Sequence, residues 1–212
     1  MERNSGGGDR RSAILRAAAE LFAARGFRGV SIEDLGRAVG TTGPALYRHF
    51  RGKEALLAEV LLDVSERLLH GGAARVAASP GPEAALDALL RGHIAFALDE
   101  PALITVHDRE LRNVPPEPRH RIRRLQRAYV EQWVAVLAEL RPGVAEPVLR
   151  TAVHAMFGLL NSTPHSAGEL DRDRMAELLF TMARTALLAA GGRPDGAFAP
   201  PVHGQRGART AD

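Results

Sequence analysis

Residues 13–57 read AILRAAAELFAARGFRGVSIEDLGRAVGTTGPALYRHFRGKEALL. Ile14, Leu15, Ala18, Leu21 and Phe22 recur at helical spacing and Gly26 follows a basic last turn, which predicts a first helix from about Arg11 to Arg25. Ser31 opens a second helix with a capping-box-like Ser-Ile-Glu-Asp start that carries Ile32, Leu35 and Val39 inward until Gly40. Thr41 or Thr42 can cap a third, short helix, in which Pro44 is tolerated early because its missing N–H would have no partner there. Leu46 and Phe50 face its core and Gly52 ends it. Two short helices joined by a turn containing glycine, packed on a preceding helix, make a helix-turn-helix whose second helix can enter a DNA major groove. Here they span about 31–38 and 42–50. The second is too short to be stable alone, so it acquires a purpose only if the first holds it and presents it outward. A plain helical hairpin with a solvated basic face satisfies the same spacing.

The outward residues of the third helix are Thr42, Gly43, Ala45, Arg48 and His49, with Tyr47 at the flank. Small residues at its start let the backbone approach base edges, and the methyls of Thr42 and Ala45 can meet thymine methyls. Tyr47, His49 and Lys53 are placed for phosphates, and the first turns of the second and fourth helices offer backbone N–H donors. The order, spacing and residue types of the quoted run resemble the N-terminal domain of the tetracycline-repressor (TetR) family. The shared marks are Leu21-Phe22-Ala23-Ala24-Arg25-Gly26-Phe27, Ser31-Ile32, and Leu46-Tyr47-Arg48-His49-Phe50 followed by Lys53-Glu54-Ala55-Leu56. By that resemblance Tyr47, His49 and Lys53 match phosphate-contacting positions, and Thr42, Gly43, Pro44 and Ala45 occupy the operator-reading stretch. Ser31, Thr41 and Arg48 complete the set expected to meet DNA. Thr41 and Gly36 depart from the family's usual aliphatic residue and alanine, which predicts slightly looser packing of the second helix on the third.

Working outward, the 212 residues are 45% hydrophobic and 25% charged, enough apolar material for a substantial core. There is no cysteine, which excludes disulfides, thiolate zinc sites and thiol catalysis. No apolar run reaches the length of a membrane span and the first residues are polar and glycine-rich, so a cytoplasmic protein without a membrane partner is expected. The formal charge of +3 is unevenly placed, with ten Lys+Arg against seven Asp+Glu in residues 1–60 and 18 of each in the rest. A nucleic-acid-binding end shows that asymmetry. Lys53 is the one lysine in the chain.

The expected architecture is all-α with about nine helices. Residues 1–8 form a mobile tail, 9–52 a three-helix helix-turn-helix DNA-binding domain, 53–190 a helical effector-binding and dimerisation domain, and 191–212 a second tail. Helices beyond the long one from Lys53, weakened at Gly71 and Gly72, are predicted at about 82–98, 101–112, 119–140, 146–160 and 172–190. The helix at 146–160 carries one stripe of Leu149, Val153, Met156 and Leu160 and another of His154, Phe157 and Asn161, and two stripes need two partners. With Met175, Leu178, Leu179 and Met182 of the last helix, the first stripe is expected to form a four-helix seam with a second copy. The resemblance also implies a helical, dimeric C-terminal domain.

Polar side chains on apolar faces mark a candidate pocket: His93, His107, Gln126 and Asn161, with Phe96, Ile104, Tyr129, Trp133 and Phe157 around them. For either histidine a hydrogen-bonded core role stands beside ligand contact. The run Arg119, Arg121, Arg123, Arg124, Arg127 reads as a solvated face, or as a rim for an anionic ligand such as a coenzyme A thioester, the second idea coming from TetR-type regulators of lipid catabolism. The expected function is a ligand-responsive transcriptional regulator, a repressor released from palindromic double-stranded operator DNA by a small, largely apolar effector, with no cofactor, no metal and no catalysis. The rivals are a helical enzyme and a protein-binding adaptor. Against the first, the chain offers one Glu-x-x-His spacing, Glu117 to His120, and no nucleotide loop, Gly-x-Ser-x-Gly or His-Glu-x-x-His.

Overall fold

A computed structural model describes residues 5–46, 50–166, 168 and 170–191, with the backbone alone described at 5–9, 44 and 45. Among the described residues there are nine α-helices and no strand: α1 Ser5–Arg25, α2 Ile32–Ala38, α3 Gly43–Leu46, α4 Lys53–Ala78, α5 Pro82–Asp99, α6 Pro101–Glu110, α7 Pro116–Leu140, α8 Glu146–Leu160 and α9 Arg172–Ala189. Short 3-10 turns lie at Leu111–Asn113 and Thr163–His165. Proline stands in the first turn of α5, α6, α7 and α8, where its fixed φ favours the helix and its missing N–H costs nothing. For the same reason α7 starts at Pro116, three residues before its expected start.

The expected tail at 1–8 is corrected at its inner end, because α1 already begins at Ser5. No proline interrupts that stretch, and extending an existing helix is far easier than nucleating one. Residues 1–4 and 192–212, which hold the rest of both expected tails, lie outside the described residues. Gly71 and Gly72 do not interrupt α4. A Cβ on Gly72 would come within 2.5 Å of Gln132 Oε1 and 2.8 Å of the Tyr129 ring, so glycine is what lets α7 cross α4 closely.

Two apolar cores share α4. One joins Ile14, Phe22, Leu35, Leu46 and Phe50 of the head to Leu56–Val64 of α4, Val106 of α6 and Ile122 of α7. The other gathers Leu86, Leu89 and Leu90 of α5, Trp133 and Leu137 of α7, Val153 and Met156 of α8, and Leu179 and Ala183 of α9. Ion pairs clamp their outer edges: Arg67 of α4 grips Glu100 with two bonds of 2.9 and 2.7 Å, and Arg172 and Arg184 of α9 reach Asp99 and Asp87 of α5, each at 2.7 Å. Among the described residues no helix is long and apolar enough to cross a membrane.

Candidate DNA-reading head and effector cavity

The head is built by caps and turns. Ser31 N–H donates to Asp34 Oδ2 at 3.0 Å while Asp34 N–H donates to Ser31 Oγ at 3.1 Å, a reciprocal capping box. The Ser31 hydroxyl also donates to Asp34, and these bonds, with Arg37 and Arg25 nearby, hold the Asp34 carboxyl below its ordinary pKa. The geometry thus gives Ser31 a capping role. Gly40 supplies the positive φ of +65° that turns the chain after α2. The expected looseness at Gly36 is corrected: a Cβ there would lie 2.9 Å from the Thr41 carbonyl and 3.0 Å from the Gly43 nitrogen, so glycine lets the turn close directly on α2. Thr41 N–H seals it with a 2.8 Å bond to the Gly36 carbonyl.

Thr42 is exposed and Thr41 half-buried at the start of α3. Gly43, expected to face outward, is buried instead, its Cα hydrogen turned towards Ile32 and Glu33 of α2. Its place at the helix-helix contact gives the physical reason: a short helix held by α2 must turn its first residues toward that support. Pro44 and Ala45 lie in α3, while Tyr47, Arg48 and His49 lie outside the described residues. Lys53 opens α4, its ammonium donating to the Val30 carbonyl at 2.8 Å and lying 4.4 Å from the Phe27 ring centroid. One of its three N–H donors therefore ties α4 to the loop before α2 and two remain.

In the body, α4 to α8 line a cavity of about 260 Å³ that is open to solvent on one side. His93, Phe96, Ile104, His107, Gln126, Tyr129, Phe157 and Asn161 all line it. Trp133 does not, and that expectation is corrected. It lies one turn further along α7, wholly buried, with its ring edge-on to Phe157 at 5.3 Å and to Tyr129 at 6.0 Å. It backs the wall instead of forming it. The sequence reading missed Val64, Ser65, Leu68, Leu103, Val130 and His154. Ser65 was findable, as a polar residue on the apolar stripe of α4, by the rule that picked out the histidines.

His93 is the hub of the aromatic wall, with ring centroids 4.8 Å from Phe157, 5.5 Å from Phe96 and 5.9 Å from Tyr129. Burial pushes its pKa down to about 4, against a smaller opposing effect of Asn161, so the ring is neutral at pH 7. Its Nε2–H donates to Asn161 Oδ1 at 3.0 Å, which leaves Nδ1 to accept from the Tyr129 hydroxyl at 3.4 Å. Burial likewise pushes the Tyr129 phenol up to about 12. The geometry gives His93 the hydrogen-bonded core role, and its ring also lines the cavity. The arginine run does not line the cavity; Arg121 pairs with Glu66 at 2.5 Å and Arg119 donates to the Arg112 carbonyl at 3.4 Å. Among the described residues no group of three or more His, Asp and Glu could hold a metal ion.

Residues 14–60 match the family described as bacterial regulatory proteins, tetR family, and residues 79–187 match the tetracyclin repressor-like C-terminal domain. The chain belongs to the TetR family. That family is one of DNA-binding transcriptional regulators, not enzymes. Among curated relatives, the HTH-type transcriptional repressor KstR2 of Rhodococcus jostii is 28% identical over 134 residues, which span 63% of this chain and 66% of that repressor. Among solved structures, a TetR-family regulator from Bordetella parapertussis superposes with a TM-score of 0.73 at 24% identity over 82% of this chain and 93% of that one. AibR, solved with isovaleryl coenzyme A and operator DNA, gives 0.68 at 23% identity over 82% and 97%. At these identities the structural likeness concerns the fold.

In this TetR-family fold the expected dimer seam needs correction. Leu149, Val153, Met156 and Leu160 are at most 2% exposed and Leu179 is 6% exposed, so they belong to the protomer's own core against α5, α7 and α9. Met175 is half-buried. What α8 and α9 leave outside is Val148, Leu178 and Met182, 43 to 46% exposed, amid small residues such as Thr151, Ala155, Gly158, Thr185 and Ala186. The bulkier stripe went inward because a core rewards large apolar volume, and the smaller residues stayed outside.

A further link joins cavity and head. Helix α6 lines the cavity with Leu103, Ile104 and His107 and ends at Glu110, a carboxylate 8% exposed. Glu110 Oε1 accepts the Phe27 N–H of the head at 3.1 Å, and Oε2 accepts from Asn113 at 2.6 Å. Phe27 in turn carries the Lys53 ammonium on its ring.

Proposed function

We propose that this TetR-family regulator is a homodimeric, cytoplasmic repressor that holds a nearly palindromic operator and lets go when a small, largely apolar effector enters the α4–α8 cavity. The observation that carries this reading is the physical continuity of cavity and head: the same α6 that lines the cavity ends on the buried Glu110–Phe27 bond. The same exposed face of α8 and α9, carrying Leu178 and Met182, supplies the two-fold seam. Thr42, Pro44, Ala45 and the Tyr47–His49 segment meet the major groove, and Lys53 meets a phosphate through its remaining N–H groups. The complex of AibR with isovaleryl coenzyme A and operator DNA supports a regulator of this kind, and its ligand favours an acyl thioester as a second reading of the effector.

The two heads of a dimer read half-sites about 34 to 36 Å apart, or further where the operator is wider. Fluorescence anisotropy of operator and scrambled duplexes across a salt series tests the reading. Lys53→Ala weakens both duplexes and lowers the magnitude of the salt slope by roughly two per dimer, whereas changes at Thr42 re-rank operator variants by about 1 to 3 kcal/mol and leave the slope nearly fixed. A slope untouched by Lys53→Ala, with DNA binding lost instead on changing Arg119 to Arg127, puts the DNA surface elsewhere.

A further inference from the structure

His154 belongs to two surfaces at once. Among the described residues that line the cavity it alone is exposed, the rest being buried or half-buried. The open side of the cavity is therefore bordered by His154, on the flank of α8 nearest α7, where Arg150 one turn earlier pairs with Glu131.

The exposed arc of α8 runs on from that flank without a break. Between Val148 and Ser162 the exposed residues are Val148, Thr151, His154, Ala155, Gly158 and Ser162, and none of them is charged. At about 100° per residue, His154 stands about 40° from Gly158 and about 60° from Thr151 around the helix axis. Helix α7 shows the opposite, with Arg121, Arg123, Arg124, Arg127 and Glu131 on its exposed face. In a chain that is 25% charged, a face that stays in water collects charge, whereas the covered centre of an interface is depleted of it. The uncharged arc continues onto α9 at Leu178, Thr181, Met182 and Thr185, so His154 lies on the same patch as the exposed apolar residues.

We infer that a second copy of this chain closes each cavity: its surface lies over His154, and the cavity wall is complete only in the dimer. This rests on the reading of α8 and α9 as the seam and of the cavity as the effector site. Helix α8 then carries the cavity on one side, through Phe157 and Asn161, and the partner on the other, through Thr151 and Gly158. Whatever an occupied cavity does to the strength of the dimer, dimerisation does in equal measure to the affinity for the effector.

The test needs no effector. The chain has no cysteine, so His154→Cys places a unique thiol at the cavity's edge, and Ala135→Cys places one on exposed α7, away from the patch. Each full-length variant is reacted with N-ethylmaleimide at a concentration where sedimentation gives its assembly state, and each rate is divided by that of the same variant in denaturant. In the dimer the thiol at position 154 reacts at least about tenfold more slowly than the one at 135, although the protomer exposes both positions. Dilution to monomers, or Leu178→Glu with Met182→Glu in the same chain, brings the two rates within about twofold of each other. Equal rates in the dimer, or a thiol at 154 that stays slow in the monomer, overturns the closure and leaves the seam and the effector cavity as proposed. Sedimentation of the unaltered chain as a monomer at micromolar concentration overturns the seam and the closure together.

Discussion

The head core and the body core are made of the same apolar residue types and behave differently. Around α1, the first holds Ile14, Ala18 and Phe22, each 3% exposed or less, and Lys53 and Glu110 tie its rim through specific bonds. Where the second meets the first, between α4 and α8, packing stops short of closing: Phe96, packed on the first core, and Phe157, packed on the second, are half-buried and border about 260 Å³ of space together with a neutral histidine. Close packing is the default of protein interiors, so a well-formed void among aromatic rings is a feature to be explained by binding. The difference is one of packing: dense around α1, open beside His93.

The sharpest way to break that comparison is to truncate one phenylalanine in each core. Phe22→Ala should cost about 3 to 5 kcal/mol in urea unfolding, whereas Phe157→Ala, already facing empty space on one side, should fall below that range. Equal losses would mean the cavity wall is packed as tightly as the head.

The pH dependence that His93 adds to stability probes the body. With His93 lowered from 6.5 to about 4 in the folded protein, the unfolded chain binds a proton that the folded one refuses between those values. The His93 contribution is therefore full above pH 6.5 and falls with decreasing pH by up to about 1.4 kcal/mol per unit, levelling below about 4. His93→Gln, compared by thermal or urea unfolding at each pH, should lack that contribution; a superposable pH profile would show that His93 is solvated or charged in the folded state.

Between the two cores lies Glu110. Glu110→Ala leaves the Phe27 N–H buried without its acceptor and should cost about 1 to 3 kcal/mol, while Glu110→Gln keeps an acceptor and should cost less. The coupling readout matters more: if Glu110 joins cavity and head, operator affinity in Glu110→Ala should respond less to effector at saturating concentration, and by linkage DNA should weaken effector binding less in return. Unchanged coupling would assign the link to α4 or to the apolar packing of α6 on α1.

Smallest in its effect on the protomer is the outer face of the body. Leu178→Glu with Met182→Glu changes exposed positions and should shift protomer stability by no more than about 0.5 kcal/mol per site, yet sedimentation should show monomers. Met156→Glu, by contrast, buries a charge in the protomer core and should unfold it. Dimers that survive the double change would move the seam off α8 and α9.

Where helices begin and end was written locally, and so was legible in the sequence: Ser31 with Asp34 closes a capping box, Gly26 and Gly40 take positive φ, and four helices start on proline. These signals act through neighbours a few residues away, as do the stripes that put His93, His107, Gln126 and Phe157 on inward faces. Which of two faces on one helix meets its own core is not local. Leu149, Val153, Met156 and Leu160 share a stripe by period alone, but only the packing of α5, α7 and α9 around them made that stripe interior and left Leu178 and Met182 outside. The same holds for Gly43, which α2 covers, for Trp133, which lies one turn beyond the cavity, and for Glu110, whose partner Phe27 is 83 residues away. Helical periodicity determines which side chains travel together; burial against distant elements decides what they touch, because it is a property of the assembled surfaces and not of any one segment.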